Sequence, residues 1–184
     1  MGNMSFLKQY IFKPRTVGAV LPSSKYLAAR MVNGINFAQV KCVVEYGGGT
    51  GVLTAEILRK RQPGTVVIVF EMNSTFYNVL NDKYGHEADV YIVNDSAMHI
   101  GQKLQEYGVQ CADCVISGLP FASLPQEVSF NILTETKKHL KPGGAFITFQ
   151  YTLLKKDLIG QFFEHIDIVR EMRNVPPAYV LRCR

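Results

Sequence analysis

The sequence predicts an α/β fold in which helices cover both faces of a parallel sheet. Three observations predict it. Short, continuously apolar runs rich in Val and Ile alternate with segments of helical periodicity. Glycine and Pro-Gly turns separate them, at 47–51, 63–64 and 142–144. The 184 residues are 47% hydrophobic, enough for one domain with a sizeable core.

The elements follow in order. Residues 4–13 read as a short helix: Met4, Phe6, Leu7, Tyr10 and Ile11 share one side, and Ser5, Lys8, Gln9 and Lys13 the other. Phe12 falls on the polar side, and Pro14 stops the helix. Leu21-Pro22-Ser23-Ser24 is a turn whose serine caps a helix over about 24–33, ended near Gly34. Strand 41–46 then leads to helix 51–60, strand 65–71 to helix 74–84, and strand 88–94 to helix 97–107. Strand 112–117 leads to helix 125–140, and Lys141-Pro142-Gly143-Gly144 turns into strand 145–152. A helix over 155–164 precedes two β-rich stretches, 166–173 and 178–183. One domain over 1–184 is expected, with a helical arm at 1–34 and a Rossmann-like core at 41–184.

Ligands of such sheets sit at the carboxyl ends of strands. Glu45-Tyr46-Gly47-Gly48-Gly49-Thr50-Gly51 joins a strand to a helix through a glycine turn. A dinucleotide fingerprint starting at Gly47 needs Gly or Ala at 52, where Val52 stands. The remaining pattern, acidic-x-Gly-x-Gly-x-Gly, resembles the first motif of S-adenosylmethionine (SAM)-dependent methyltransferases. SAM carries a sulfonium cation, so a carboxylate beside the loop suits it. Glu71 ends the second strand, 24 residues after Gly47, where nucleotide folds place a ribose-binding carboxylate. Asp95, in Asn94-Asp95-Ser96-Ala97, is read as an adenine contact or a helix cap. Ser117-Gly118-Leu119-Pro120-Phe121 ends the fourth strand, as an acceptor-binding segment or a plain turn.

Composition narrows the surroundings. No twenty-residue apolar run spans a membrane, and Lys8, Lys13 and Arg15 interrupt any secretory signal. Phe6 breaks a myristoylation pattern at Gly2. Four cysteines fit a reducing cytosol. The Cys111-x-x-Cys114 spacing has no second pair to close a zinc site, so no metal is expected. His86, His99, His139 and His165 show no ligand spacing. Residues 1–44 carry Lys8, Lys13, Arg15, Lys25, Arg30 and Lys41 and no carboxylate, in a chain of net charge +5. That reads as an arm for a lipid surface or nucleic acid, or as an ordinary basic surface.

The pieces together resemble the bacterial phospholipid N-methyltransferases. The match runs through Val17-Gly18-Ala19-Val20-Leu21-Pro22-Ser23-Ser24, the glycine loop, Glu71-x-Asn73, Ser117–Phe121, Leu140–Gly144 with Phe149-Gln150-Tyr151, and Asn174-Val175-Pro176-Pro177-Ala178. It implies a class I methyltransferase fold: a seven-stranded sheet, helices on both faces, a last strand antiparallel, and N-terminal helices. It implies SAM as cofactor, held by Ser23 and Ser24, by Glu45, Tyr46, Gly47, Gly49, Thr50 and Gly51, and by Glu71, Met72 and Asn73. Asp95, Ser96, Ala97, Ser117, Gly118 and Leu119 complete that set. The implied acceptor is phosphatidylethanolamine or a methylated intermediate. The implied enzyme is a cytoplasmic monomer, peripheral on the inner face of an anionic membrane. Tyr26, Tyr46 and Tyr151 are candidates to take the amine's proton, and Phe121 to face a quaternary ammonium. Tyr179 stands where members often carry a basic residue, and Thr148 and Gln150 are exchanged relative to the usual order. Ribosomal RNA adenine dimethylases are similar too, but use Asn-Leu-Pro-Tyr where Gly118 offers no side-chain acceptor. An RNA or small-molecule methyltransferase and a non-catalytic SAM-binding module are the alternatives.

Overall fold

The computed structural model describes residues 24–184. The expectations for 4–13, Pro22, Ser23, Lys8, Lys13 and Arg15 lie outside the described residues. Seven strands form one sheet: β1 (Cys42–Tyr46), β2 (Val66–Phe70), β3 (Val90–Val93), β4 (Ala112–Ser117), β5 (Leu140–Gln150), β6 (Ile166–Glu171) and β7 (Ala178–Cys183). Their order is β3-β2-β1-β4-β5-β7-β6. The first five strands run parallel, and β7 runs antiparallel to β5 and β6. The helices are α1 (Lys25–Val32), α2 (Val52–Lys60), α3 (Ser74–Tyr84), α4 (Ile100–Glu106), α5 (Gln126–His139) and α6 (Lys156–Gly160).

Alternation along each strand splits the core in two. On one face Val43, Val67, Val69, Ile116 and Ile147 meet Leu27 and Met31 of α1, Ile57 of α2 and Leu80 of α3. On the other, Val44, Tyr46, Ile68, Val115 and Phe146 meet Leu104 of α4, Leu133 of α5 and Ile159 of α6. Each such side chain, fully buried, stabilises the fold by about 1.5–3 kcal/mol relative to exposure.

Two expected elements differ. The helix at 97–107 divides into a 3₁₀ turn at Ala97–His99 followed by α4. Ser96 starts that turn, its Oγ accepting from Met98 N–H at 3.3 Å. Lys141–Gly144 is not a turn ahead of its strand. Leu140 already pairs with Ala112, and pairing resumes at Ala145 opposite Cys114, so 141–144 bulge from within β5. Gly143 absorbs the distortion at φ +75°, a backbone region open to glycine.

Helix α1 is fastened to the closing hairpin. Ser24 Oγ caps it by accepting from Leu27 N–H at 3.2 Å. Ser24 N–H donates to Asn174 Oδ1 at 3.1 Å, and Asn174 Nδ2 donates to the Pro176 carbonyl at 2.7 Å. Beside it, buried Glu171 takes both Arg173 Nε and Arg30 Nε, at 2.9 and 3.1 Å. Led by the Arg173 hydrogen bonds, these partners hold its carboxyl down at about 2, against an ordinary 4.5. A depressed carboxyl stabilises the fold above its ordinary pKa and loses that contribution as pH falls through its folded one. Glu171→Gln should therefore lower the melting temperature at pH 7, and the gap to the parent should close as pH falls from about 4.5 toward 2. Thermal melts across that range check this; a gap independent of pH would refute the ion-pair account.

Candidate active site

The parallel strands bring three chain segments to one edge. Tyr46 and Ser117 are register partners, as are Ser117 and Thr148, so β1, β4 and β5 end together. The loop after β1 is shaped by left-handed glycines: Gly47 at φ +75°, Gly49 at +52° and Gly51 at +82°. Gly48 is glycine for a different reason. A Cβ there would sit 2.6 Å from Val69 and 2.7 Å from Leu80, so the loop could not lie on the core. Gly47 N–H and Gly48 N–H both donate to the Phe70 carbonyl, at 2.8 and 3.3 Å. Gly49 faces open space, where a Cβ would meet nothing within 4 Å.

Glu71, at the end of β2, closes the loop from the side. Its Oε2 accepts from Gly49 N–H and its Oε1 from Asn73 N–H, both at 2.8 Å. Burial pushes its pKa up, and backbone donors from Asn73, Gly49 and Met72 pull it back. Asn73 spends its side chain capping α3, accepting from Thr75 N–H at 2.9 Å. Met72 packs against the core.

Glu45 lies inside β1, fully buried, and neither carboxylate oxygen has a hydrogen-bond partner. Burial pushes its pKa up to about 8; the nearby Thr54 hydroxyl opposes this and the Glu71 charge adds to it. Thr54 Oγ1 is itself buried and unpartnered, so the two do not reach hydrogen-bonding geometry. Glu45 alternates with Val43 and so faces the α1–α3 side. Tyr151, just past β5, packs against that same cluster, and its hydroxyl too is buried and unpartnered.

Other candidates fall elsewhere. Tyr46 points to the opposite face, its ring buried against Phe70 and its hydroxyl 3.1 Å from Thr136 Oγ1. Burial raises its phenol far above the usual range. Phe121 is fully buried, edge-on to Phe146 at 6.1 Å. Both side chains therefore pack on the α4–α6 side of the sheet, opposite the face that Glu45 shares with α1–α3. Tyr26 is 41% exposed and carries the Arg173 guanidinium 4.6 Å above its ring. Asp95 is not a helix cap, since Ser96 fills that role; its Oδ1 lies 2.8 Å from His99 Nδ1.

The fourth strand end is held by a residue outside the expected site set. Gln150 Nε2 donates to the Leu119 carbonyl and Gln150 Oε1 accepts from Ala122 N–H, both at 3.2 Å. Ser117 Oγ accepts from Leu119 N–H at 3.2 Å, and Gly118 N–H donates to the Tyr46 carbonyl at 2.8 Å. A Cβ at Gly118 would lie 3.1 Å from the Gly47 carbonyl oxygen, so the two loops touch through bare backbone. Asn94 Nδ2 likewise ties β3 to β2 through the Glu71 carbonyl at 2.8 Å. Polar residues at or just past a strand's carboxyl end are the signal that finds Gln150 and Asn94.

Comparison with known proteins gives the family and the fold. The family model described as ribosomal RNA adenine dimethylase matches residues 21–158. An ornithine lipid N-methyltransferase from Singulisphaera acidiphila is 32% identical over 97% of this chain and 94% of its own. TrmN from Thermus thermophilus superposes with a TM-score of 0.65 at 13% identity, covering 96% of this chain and 52% of that one. The 16S rRNA N2 G1207 methyltransferase (RsmC) from T. thermophilus, in complex with AdoMet and guanosine, gives 0.65 at 18% identity, covering 92% and 44%. The chain thus spans about half of those two structures, which show the fold alone. With this sheet and loop, the chain belongs to the ribosomal RNA adenine dimethylase family and is a SAM-dependent N-methyltransferase whose full-length relative methylates a lipid.

Proposed function

We propose that this chain methylates the amine of a membrane-lipid headgroup, with phosphatidylethanolamine or its methylated intermediates as acceptor. The observation that carries the lipid part of this reading is the match over 97% of the chain to a relative named ornithine lipid N-methyltransferase, and the phosphatidylethanolamine acceptor rests on the sequence resemblance. Gly118 supports it, because the acceptor end of the site lacks the side chain that an adenine amine would need. The carboxylate-free segment 1–44 supports an anionic surface as partner, each basic residue near such a surface contributing on the order of 1 kcal/mol. Among the described residues no helix is long and apolar enough to cross a membrane.

The site fits SAM on two observations: the unpartnered, buried Glu45 carboxyl, suited to a cation, and the open space over Gly49. Gly47, Gly49, Thr50 and Gly51 would line its amino-acid part. Glu71, with Met72 and Asn73, would take the ribose, since its carboxylate retains lone pairs beyond its backbone partners. Asp95, Ser96 and Ala97 would line the adenine, and Ser117, Gly118 and Leu119 the acceptor side. Ser24 spends its hydroxyl capping α1. When bound, SAM supplies an electrophilic methyl group.

The acceptor must arrive as a neutral amine. With a Lys-like pKa of about 10.4, losing its proton at pH 7 costs about 4–5 kcal/mol. A dry pocket lowers that cost by disfavouring the ammonium. Tyr151 is the candidate to orient the amine, its hydroxyl being buried, unpartnered and on the Glu45 side of the sheet; as a neutral phenol it accepts a hydrogen bond from the amine and relays a proton only by releasing its own to solvent.

Three measurements test this reading. Radiolabelled SAM offered with phosphatidylethanolamine vesicles, ornithine-lipid vesicles, RNA or buffer should leave label in a lipid fraction. Label in RNA alone would replace the reading with the ribosomal RNA activity, and no label anywhere would leave a SAM-binding module. Tyr151→Phe should slow turnover about 10²-fold while SAM affinity stays within about twofold; unchanged turnover removes Tyr151 from orienting the amine. Calorimetric SAM affinity should rise from pH 6 to about 8 and then level off, because a cation favours ionised Glu45, whose folded pKa is about 8. Glu45→Gln should flatten that component, and identical profiles in both proteins would dissociate Glu45 from the cation.

A further inference from the structure

We infer that the site-bearing edge of the sheet carries a built membrane-docking face of its own, formed by the loop after β5, the β6–β7 turn and the start of α1. The inference rests on the lipid reading above. Gln150 pairs with Tyr179 across β5 and β7, and Glu171 with Ala178 across β6 and β7. The segment leaving β5 and the turn at 172–177 therefore emerge at one end of the sheet. That is also the end at which β1 and β4 deliver the glycine loop and Gly118, since both run parallel to β5. Helix α1 joins the same corner through Asn174 and through Arg173, which lies over Tyr26.

Among the described residues, this corner carries the three most exposed large apolar side chains. Leu154 is 80% exposed, Val175 79% and Met172 61%, three aliphatic tips on two adjacent loops. Lys25, Lys156 and Arg173 are exposed beside them. Aliphatic tips ringed by cations match an anionic bilayer, with the tips among acyl chains and the cations at phosphate level. The backbone under the tips is firmly held: Asn174 is buried and bonded on both sides, and Glu171 anchors Arg173. The tips therefore do not have to be ordered on docking, which would otherwise oppose insertion. Placed this way, a headgroup drawn from the bilayer enters the site without its acyl chains leaving the lipid.

The full chain and a Leu154→Ser, Met172→Ser, Val175→Ser variant would be sedimented with vesicles of phosphatidylethanolamine and phosphatidylglycerol, without SAM. None of the three side chains lies in the site or the core. The parent should bind and the variant at least about tenfold less, with SAM affinity and methylation of a short-chain, micellar amino lipid unchanged. Lys25→Glu with Lys156→Glu should weaken binding at low salt and have less effect at high salt. Undiminished vesicle binding by the serine variant overturns the inference, even if the enzyme labels lipid. A parent that ignores vesicles overturns it too, as does equal loss of micellar activity or a parent that dimerises through these residues. Failure of the methyl-acceptor reading shows separately, as absence of lipid label in a protein that still sediments with vesicles.

Discussion

The site depends on the Glu71 carboxylate. One oxygen holds Gly49 N–H and the other Asn73 N–H, so a single group fixes the glycine loop of β1 to the helix start after β2. Charged acceptors make hydrogen bonds roughly twice as strong as neutral ones. That strength matters here because the loop contains three residues at positive φ and gains little from side-chain packing. Gly48, against Val69 and Leu80, and Gly51, against Leu80 and Tyr84, are the loop glycines that pack on the core. The loop is thus pinned at three points: Phe70 accepts from its entrance, Glu71 holds its crest, and the core receives its floor.

Strand alternation then decides which neighbours can act. Glu45 and Tyr46 are adjacent in sequence, and both resemble site residues, yet successive side chains leave opposite faces of a strand. Glu45 faces the α1–α3 side and Tyr46 is enclosed beneath α5, bonded to Thr136. The same period sends Phe149 and Tyr151 to the Glu45 side and leaves Gln150 to clamp the Leu119 carbonyl. The sequence already contained this sorting, since a two-residue period assigns the faces once a strand is recognised. What it did not contain was which face held the buried, unpartnered carboxyl of Glu45.

The fold class was legible for a simple reason: apolar strands between amphipathic helices write their period into every ten residues. Element positions followed to within a residue or two at β1, α3 and β4. Local chemistry misled at 141–144, where Pro-Gly-Gly reads as a turn but bulges within a strand that has already begun pairing. The hairpin clamp was illegible for the opposite reason. Ser24 meets Asn174 across 150 positions, and Arg30 meets Glu171 across 141. Spacing patterns cannot report such contacts, although the family resemblance singled out both the Pro-Ser-Ser and the Asn-x-Pro-Pro-Ala segments. Ser24 and Asn174, one from each segment, meet in a joint that seats α1 on the sheet.

The two strand-end acids divide a problem that neither solves alone. Both feel burial, which disfavours charge, and the Glu71 charge further raises Glu45. Glu71 has backbone donors to offset that penalty and Glu45 has none, so the proton settles on Glu45. A neutral Glu45 inside β1 spares the sheet an unpaired buried charge, which would cost several kcal/mol. A cationic ligand changes the balance, because its charge can replace the proton's. If Glu45 faces the ligand as proposed, charge would matter before shape: a positive centre near it would favour its ionised form, and a group of the same outline without that charge would leave it protonated. The demethylated product of SAM loses the sulfonium but keeps the α-ammonium, so a difference in affinity between the two would report which of these charges Glu45 senses.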